Sequence, residues 1–179
     1  PDRVVPMLPD RLSGDLCSLH EDVPRACLAV RMTVTEDGTQ KTHRFVRGLM
    51  RSRASLEYSE VQAAQDGAPS ERTERLVQDI IAPLYAAHDA LRRARETRQP
   101  LDLDLPERRI ELTEEGRVSS VAFKDRLDAH RMIEEFMVLA NVAAARELAA
   151  RRTPLLYRVH EEPQPEKIEA LRETAEAAG

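Results

Sequence analysis

The sequence predicts an α+β fold, and three observations carry that expectation. Residues 26–35, ACLAVRMTVT, alternate with many β-branched side chains, and an Asp-Gly pair separates them from a second extended stretch starting at 42. Residues 101–123 hold short alternating runs around a Glu-Glu-Gly turn. Residues 71–97 and 128–152 show the three- and four-residue apolar spacing of helices. At 179 residues, 41% hydrophobic and 33% charged, the chain is long enough for one core, and no apolar run reaches the roughly 20 residues of a membrane helix.

Taken in order, residues 1–24 contain four of the 11 prolines and read as an irregular segment laid over a core. Residues 26–53 read as a β-hairpin. In its second arm Phe45, Arg47, Leu49, Arg51 and Arg53 fall on one side by the period-two rule. Arginines among apolar residues suit a sheet rim that meets an anionic ligand; arginine stems that merely cover apolar neighbours are the plainer alternative. Residues 57–97 read as helical: a short helix over 57–65, a break at Asp-Gly-Ala-Pro, then a helix N-capped by Ser70 and running from Glu71 to Thr97. Pro83 kinks or divides that helix, and Pro100 ends it. Residues 101–123 give three short strands in one small antiparallel meander. Asp128 then N-caps a helix over 128–152, and residues 155–179 hold an extended LLYRVH and an amphipathic helix from Pro165.

Chemistry concentrates on the 128–152 helix. Met132, Phe136, Leu139 and Ala143 form one apolar stripe, and Met137, Val138, Ala145 and Leu148 another on the opposite side, which predicts a helix buried nearly all round. His130, Glu134 and Asn141 lie within the second stripe. An ionised Glu in packed surroundings needs a partner, and the options are an arginine, a backbone amide or a ligand hydroxyl.

Other chemistries find little support. The net charge of −5 argues against nonspecific nucleic-acid binding by the whole chain, although residues 41–53 carry Lys41, Arg44, Arg47, Arg51 and Arg53 with no carboxylate. Cys17 and Cys27 are too few for a disulfide framework or a structural zinc site, which makes a reducing cytoplasm the expected compartment. No glycine-rich phosphate loop, paired-histidine motif or nucleophile elbow is present. Asp102 and Asp104 share a strand face and could chelate a cation, but such a pair more commonly faces water. Tyr58, just after the basic arm, is the best-placed aromatic for nucleic acid. The chain opens PDRVVPMLPD with no Met before Met7, which reads as an internal piece of a longer protein.

The stretch RVVPMLPDRLSGDLCSLHEDVPRACLAVRMTV resembles the catalytic RNB domain of the ribonuclease II and ribonuclease R family, exoribonucleases that degrade RNA processively from the 3′ end. RASLEYSEV at 53–61, RMIEEFMVLANVAAAR at 131–146 and RVHEEP at 158–163 match further family motifs in order, so the resemblance covers essentially all 179 residues. LDLDLPE and EEGRV look closer to the ribonuclease R branch. The resemblance implies that Tyr58 and Glu134 together read the ribose 2′-hydroxyl, giving Glu134 a partner that deoxyribose lacks. Arg47, Arg51, Arg53 and Asn141 are the further RNA-binding candidates. It also implies magnesium-dependent, two-metal hydrolysis of single-stranded RNA to nucleoside monophosphates. The family's aspartate cluster lies before PMLP and its assisting arginine far downstream, so neither falls in this chain. The chain is therefore expected to be the middle portion of one RNB domain, with no catalytic or metal-binding residue of its own, inactive alone, and cytoplasmic. The alternative is a noncatalytic RNA-binding or protein-interaction module derived from an RNB-like core.

Overall fold

A computed structural model describes residues 5–97, 108–113, 116–123 and 126–178. The fold is α+β, with two separate two-stranded antiparallel sheets and a set of helices. The chain divides into two units, Pro1–Ala143 and Ala144–Gly179.

In the first unit, the segment expected to be irregular holds one short π-helical turn, Arg11–Leu16. Arg25 reaches back to Asp15 at 2.6 Å and ties that segment to the first sheet. That sheet is a hairpin of β1 (Pro24–Val34) and β2 (Gln40–Arg51), with Leu28 opposite Arg47 and Ala26 opposite Leu49. β1 starts earlier than its alternation suggests, because Pro24, which lacks an N–H, is tolerated at a strand's first position. β2 ends at Arg51, so Arg53 falls outside the row of side chains it was expected to extend.

The loop between the strands is built around Asp37. Its carboxylate accepts from the Thr35 hydroxyl and from the Thr39 N–H at 3.1 Å. These bonds, Thr35 first and Thr39 next, hold the Asp37 carboxyl below its ordinary range. Gly38 takes a φ of +80°, and a Cβ there would sit 2.4 Å from the Ala90 carbonyl oxygen and 2.6 Å from the Ala94 Cβ. Only glycine allows the hairpin tip to seat this closely on a helix.

The helical stretch starts with α1 (Tyr58–Gln65) and a short α2 (Glu71–Glu74). Ser70 caps α2 as expected: its N–H donates to Thr73 Oγ1 at 2.9 Å, half of a capping box. The helix expected over 71–97, kinked or divided at Pro83, is divided. A π-helical turn spans Val77–Ile81, and α3 (Ala82–Glu96) follows with Pro83 in its first turn. A proline there removes the N–H that Asp79 would otherwise accept from four residues on. The widened turn accommodates the defect, with the Ile81 N–H bonding back to the Leu76 carbonyl at 2.9 Å.

Strands β3 (Arg108–Leu112) and β4 (Val118–Phe123) pair as expected, with Ile110 opposite Val121. The third meander strand, with Asp102 and Asp104, lies outside the described residues. α4 (Asp128–Ala150) begins with Asp128 inside the helix rather than capping it. Leu127 holds the cap position, since its carbonyl accepts the His130 and Arg131 N–H groups at 3.0 and 3.3 Å.

The core gathers Ala64, Ile81, Tyr85 and Met132, with Val61, Leu76, Val77, Ile133 and Phe136 packed around them. Gln62 Oε1 accepts both the Tyr85 hydroxyl at 3.2 Å and the Ala129 N–H at 3.1 Å, so one amide joins α1, α3 and α4. Burial pushes the Tyr85 phenol above its ordinary range, and the Asp128 and Asp66 carboxylates add to that. Arg95 pairs with the mostly buried Glu135 at 2.7 Å, a second tie between α3 and α4.

α4 is not buried nearly all round. Ala129, Met132 and Ala143 are its buried residues, whereas Met137 and Val138 are exposed. The periodicity located both stripes; Met132 and Phe136 of the first pack into the helical core, while Met137 and Val138 of the second are exposed. In the second unit α4 continues to Ala150 and α5 spans Pro165–Ala178. Residues 155–160 form no strand: alternation alone supplies no partner edge for their backbone groups.

Candidate functional site

Tyr58 is the first residue of α1, and the segment leading to it is fixed at several points. The Glu57 N–H donates to Glu60 Oε2 at 2.8 Å, closing a capping box that sets where the helix begins. Arg72 donates to the Ser55 carbonyl at 2.6 Å and to Glu60 at 3.2 Å. Glu21 accepts the Ser55 N–H at 2.9 Å. Sequence-distant groups thus hold the backbone on which Tyr58 stands.

The Tyr58 ring stacks on His130, with centroids 4.2 Å apart and planes inclined by 23°. His130 is held in turn by its own helix start, because the Leu127 N–H donates to His130 Nδ1 at 3.2 Å. Glu134 lies four residues further along α4, hence on the same helix face one turn on. The structure therefore brings Tyr58 and Glu134 to one corner, with His130 between them.

Glu134 is not buried. Its side chain is 50% exposed and pairs with Arg126 at 2.7 Å. Of the partners considered for it, the arginine is the one present. Ion pairs this exposed contribute about 0–1 kcal/mol, so a ligand hydroxyl can displace the guanidinium at small cost. Beside the corner runs a groove of about 280 Å³ lined by Leu56, Tyr58, Val61, Ile80, Leu84 and Ile133 among others. Tyr58, stacked on His130 and lining this groove, is 44% exposed.

The other candidates lie elsewhere. Arg47 is exposed on the hairpin opposite Leu28, itself exposed. Arg51 sits at the hairpin base, where its Nε donates to the Asp22 carbonyl at 3.1 Å. Arg53 follows the strand and is exposed. Asn141 is exposed on α4, two turns and about 10 Å beyond Glu134 along the axis. Arg47 and Asn141 thus lie away from the Tyr58 corner, whereas Arg51 belongs to the hairpin base, whose Asp22 neighbours the Glu21 that holds Ser55. Sequence reasoning noted His130 only for its spacing from Glu134 and did not single out Arg126. The Leu127-to-imidazole cap was within reach of the sequence, since an acceptor at the third helical position is a known cap pattern; the stack on Tyr58 was not. Among the described residues, no three His, Cys, Asp or Glu side chains are grouped to hold a metal ion.

Comparison with known proteins gives the family. The RNB domain family matches residues 1–178. The chain is 36% identical to ribonuclease R of Vibrio parahaemolyticus over 175 residues, covering 97% of this chain and 21% of that protein. It is 35% identical to ribonuclease R of Escherichia coli over 174 residues, again covering 21% of that protein. The chain thus spans about a fifth of the length of these relatives. Among solved structures, the apo form of Mycoplasma genitalium RNase R superposes with a TM-score of 0.90 at 28% identity, over 98% of this chain and 27% of that one. The same enzyme in complex with ribose-methylated single-stranded RNA matches equally well, with a TM-score of 0.90. Matched by the family from its first residue to its penultimate one, and sharing sequence and fold with ribonuclease R, the chain belongs to the RNB domain family.

Proposed function

We propose that this chain is part of a 3′-to-5′ exoribonuclease that hydrolyses single-stranded RNA to nucleoside monophosphates, and that it supplies the ribose-reading corner and part of the RNA path. The observation that carries this reading is the stack of Tyr58 on His130 one helical turn from Glu134. The free face of Tyr58 meets the nucleotide. Glu134 accepts a hydrogen bond from the ribose 2′-hydroxyl, releasing Arg126 toward the RNA backbone. Deoxyribose offers no such donor, so the carboxylate discriminates RNA from DNA. Arg47, Arg51, Arg53 and Asn141 add contacts along the RNA outside this corner. Magnesium belongs to this reading through the family resemblance alone. The described residues offer no cluster of His, Cys, Asp or Glu that would hold it.

In the full-length protein, Glu134→Ala and Tyr58→Ala should each lower discrimination between matched RNA and DNA oligomers by about tenfold or more, the worth of one hydrogen bond to a charged group. Unchanged discrimination in both variants rejects the reading. The isolated 179-residue chain, incubated with single-stranded RNA and magnesium, should release no mononucleotide. Release above that of a Glu134→Ala control would show that the chain carries its own chemistry.

A further inference from the structure

We infer that His130 is a positioning residue for the ribose-reading corner, acting by holding the Tyr58 ring; this rests on Tyr58 being a nucleotide contact. Among the described residues the Tyr58 hydroxyl has no hydrogen-bond partner, so ring contacts are what orient it: the His130 face on one side and the apolar groove beside it. A flat ring at 4.2 Å and 23° restricts both tyrosine side-chain torsions at once, which a small aliphatic neighbour would not. The imidazole is itself immobilised by the bond from the Leu127 N–H to Nδ1. The neutral ring then keeps its proton on Nε2. The start of α4 thereby fixes His130, His130 fixes Tyr58, and the same helix carries Glu134 one turn later, so the spacing between aromatic face and carboxylate is set by one rigid element.

His130 also caps α4, and two substitutions separate the roles. His130→Gln retains an acceptor for Leu127, as glutamine does in capping boxes, but removes the ring. His130→Phe retains the ring and removes the acceptor. The full-length protein is assayed for RNA-over-DNA discrimination, with KM and kcat on single-stranded RNA, alongside thermal unfolding. His130→Gln should unfold like the wild type and lose discrimination about three- to tenfold, the scale of one aromatic pair. His130→Phe should recover most of it. In the Tyr58→Ala background, His130→Gln should add no further loss.

The inference fails if His130→Gln discriminates as the wild type does, if His130→Phe does no better than His130→Gln, or if the two losses add. If Tyr58→Ala itself leaves discrimination unchanged, the inference fails with it, and if Glu134→Ala is unchanged too, the proposed function fails as well. A loss in Tyr58→Ala without one in His130→Gln overturns the role of His130 alone.

Discussion

The corner around Tyr58 and the arginine-bearing hairpin are attached to the molecule in different ways. At the corner, polar atoms are tied repeatedly to groups far away in sequence, Gln62 to Tyr85 and Ala129 and Arg72 to Ser55 and Glu60, and a local bond from Leu127 to His130 fixes the start of α4. The hairpin is fastened at its two ends. Its tip seats on α3, where Arg93 also donates to the Glu36 carbonyl at 3.1 Å, and its base is held through Asp15, Asp22 and Ser52. Its middle, with Arg47, Leu28 and Leu49, is exposed. Under the proposed function, the contrast corresponds to two ways of meeting RNA: a fixed corner for sugar chemistry, and arginines on an exposed strand for the backbone.

Three substitutions sharpen or break this contrast. Ile81→Ala strikes the fixed corner at its core, where Ile81 is 2% exposed. It should destabilise the domain by about 3 kcal/mol, as other large-to-small core changes do. Denaturant unfolding that moves by less than about 1 kcal/mol would mean that the corner is not the stability centre. Gly38→Ala strikes the hairpin seat, combining a left-handed φ with collisions against Ala90 and Ala94. The expected cost is about 2 kcal/mol, and faster amide exchange confined to the hairpin would show where it falls. Arg47→Ala, on the exposed strand, should leave stability within about 0.5 kcal/mol. It should reduce the salt slope of single-stranded RNA binding by about 0.7, the share of one phosphate contact. An unchanged slope would remove Arg47 from the RNA path.

Local pattern made part of this legible. Alternation and an Asp-Gly pair announced the hairpin, Ser70 announced α2, and the extent of α4 followed from its apolar spacing. What the pattern could not decide was which stripe would find a neighbour. Met132 and Met137 read alike on a helical wheel, and only the packing of α1 and α3 buries the first and leaves the second exposed. The same blindness made Glu134 look buried and LLYRVH look like a strand. In the site, family motifs led to Tyr58 and Glu134, while the ring joining them comes from an element far along the chain. Periodicity carries no information on that contact.

The π-helical turn at Val77–Ile81 also sets how the chain tolerates changes of length before α3. An α-helix advances about 100° per residue. The widened turn takes up one residue more than an α-turn does, so removing one residue here would restore regular winding with α3 at nearly the same bearing, Tyr85 still toward Gln62 and Arg95 toward Glu135. The turn is a one-residue store between α2 and α3. A further residue added here, with no second wide turn to take it up, would rotate α3 by about 100° and misalign the helices that frame Tyr58, even though no residue near the ring has been altered.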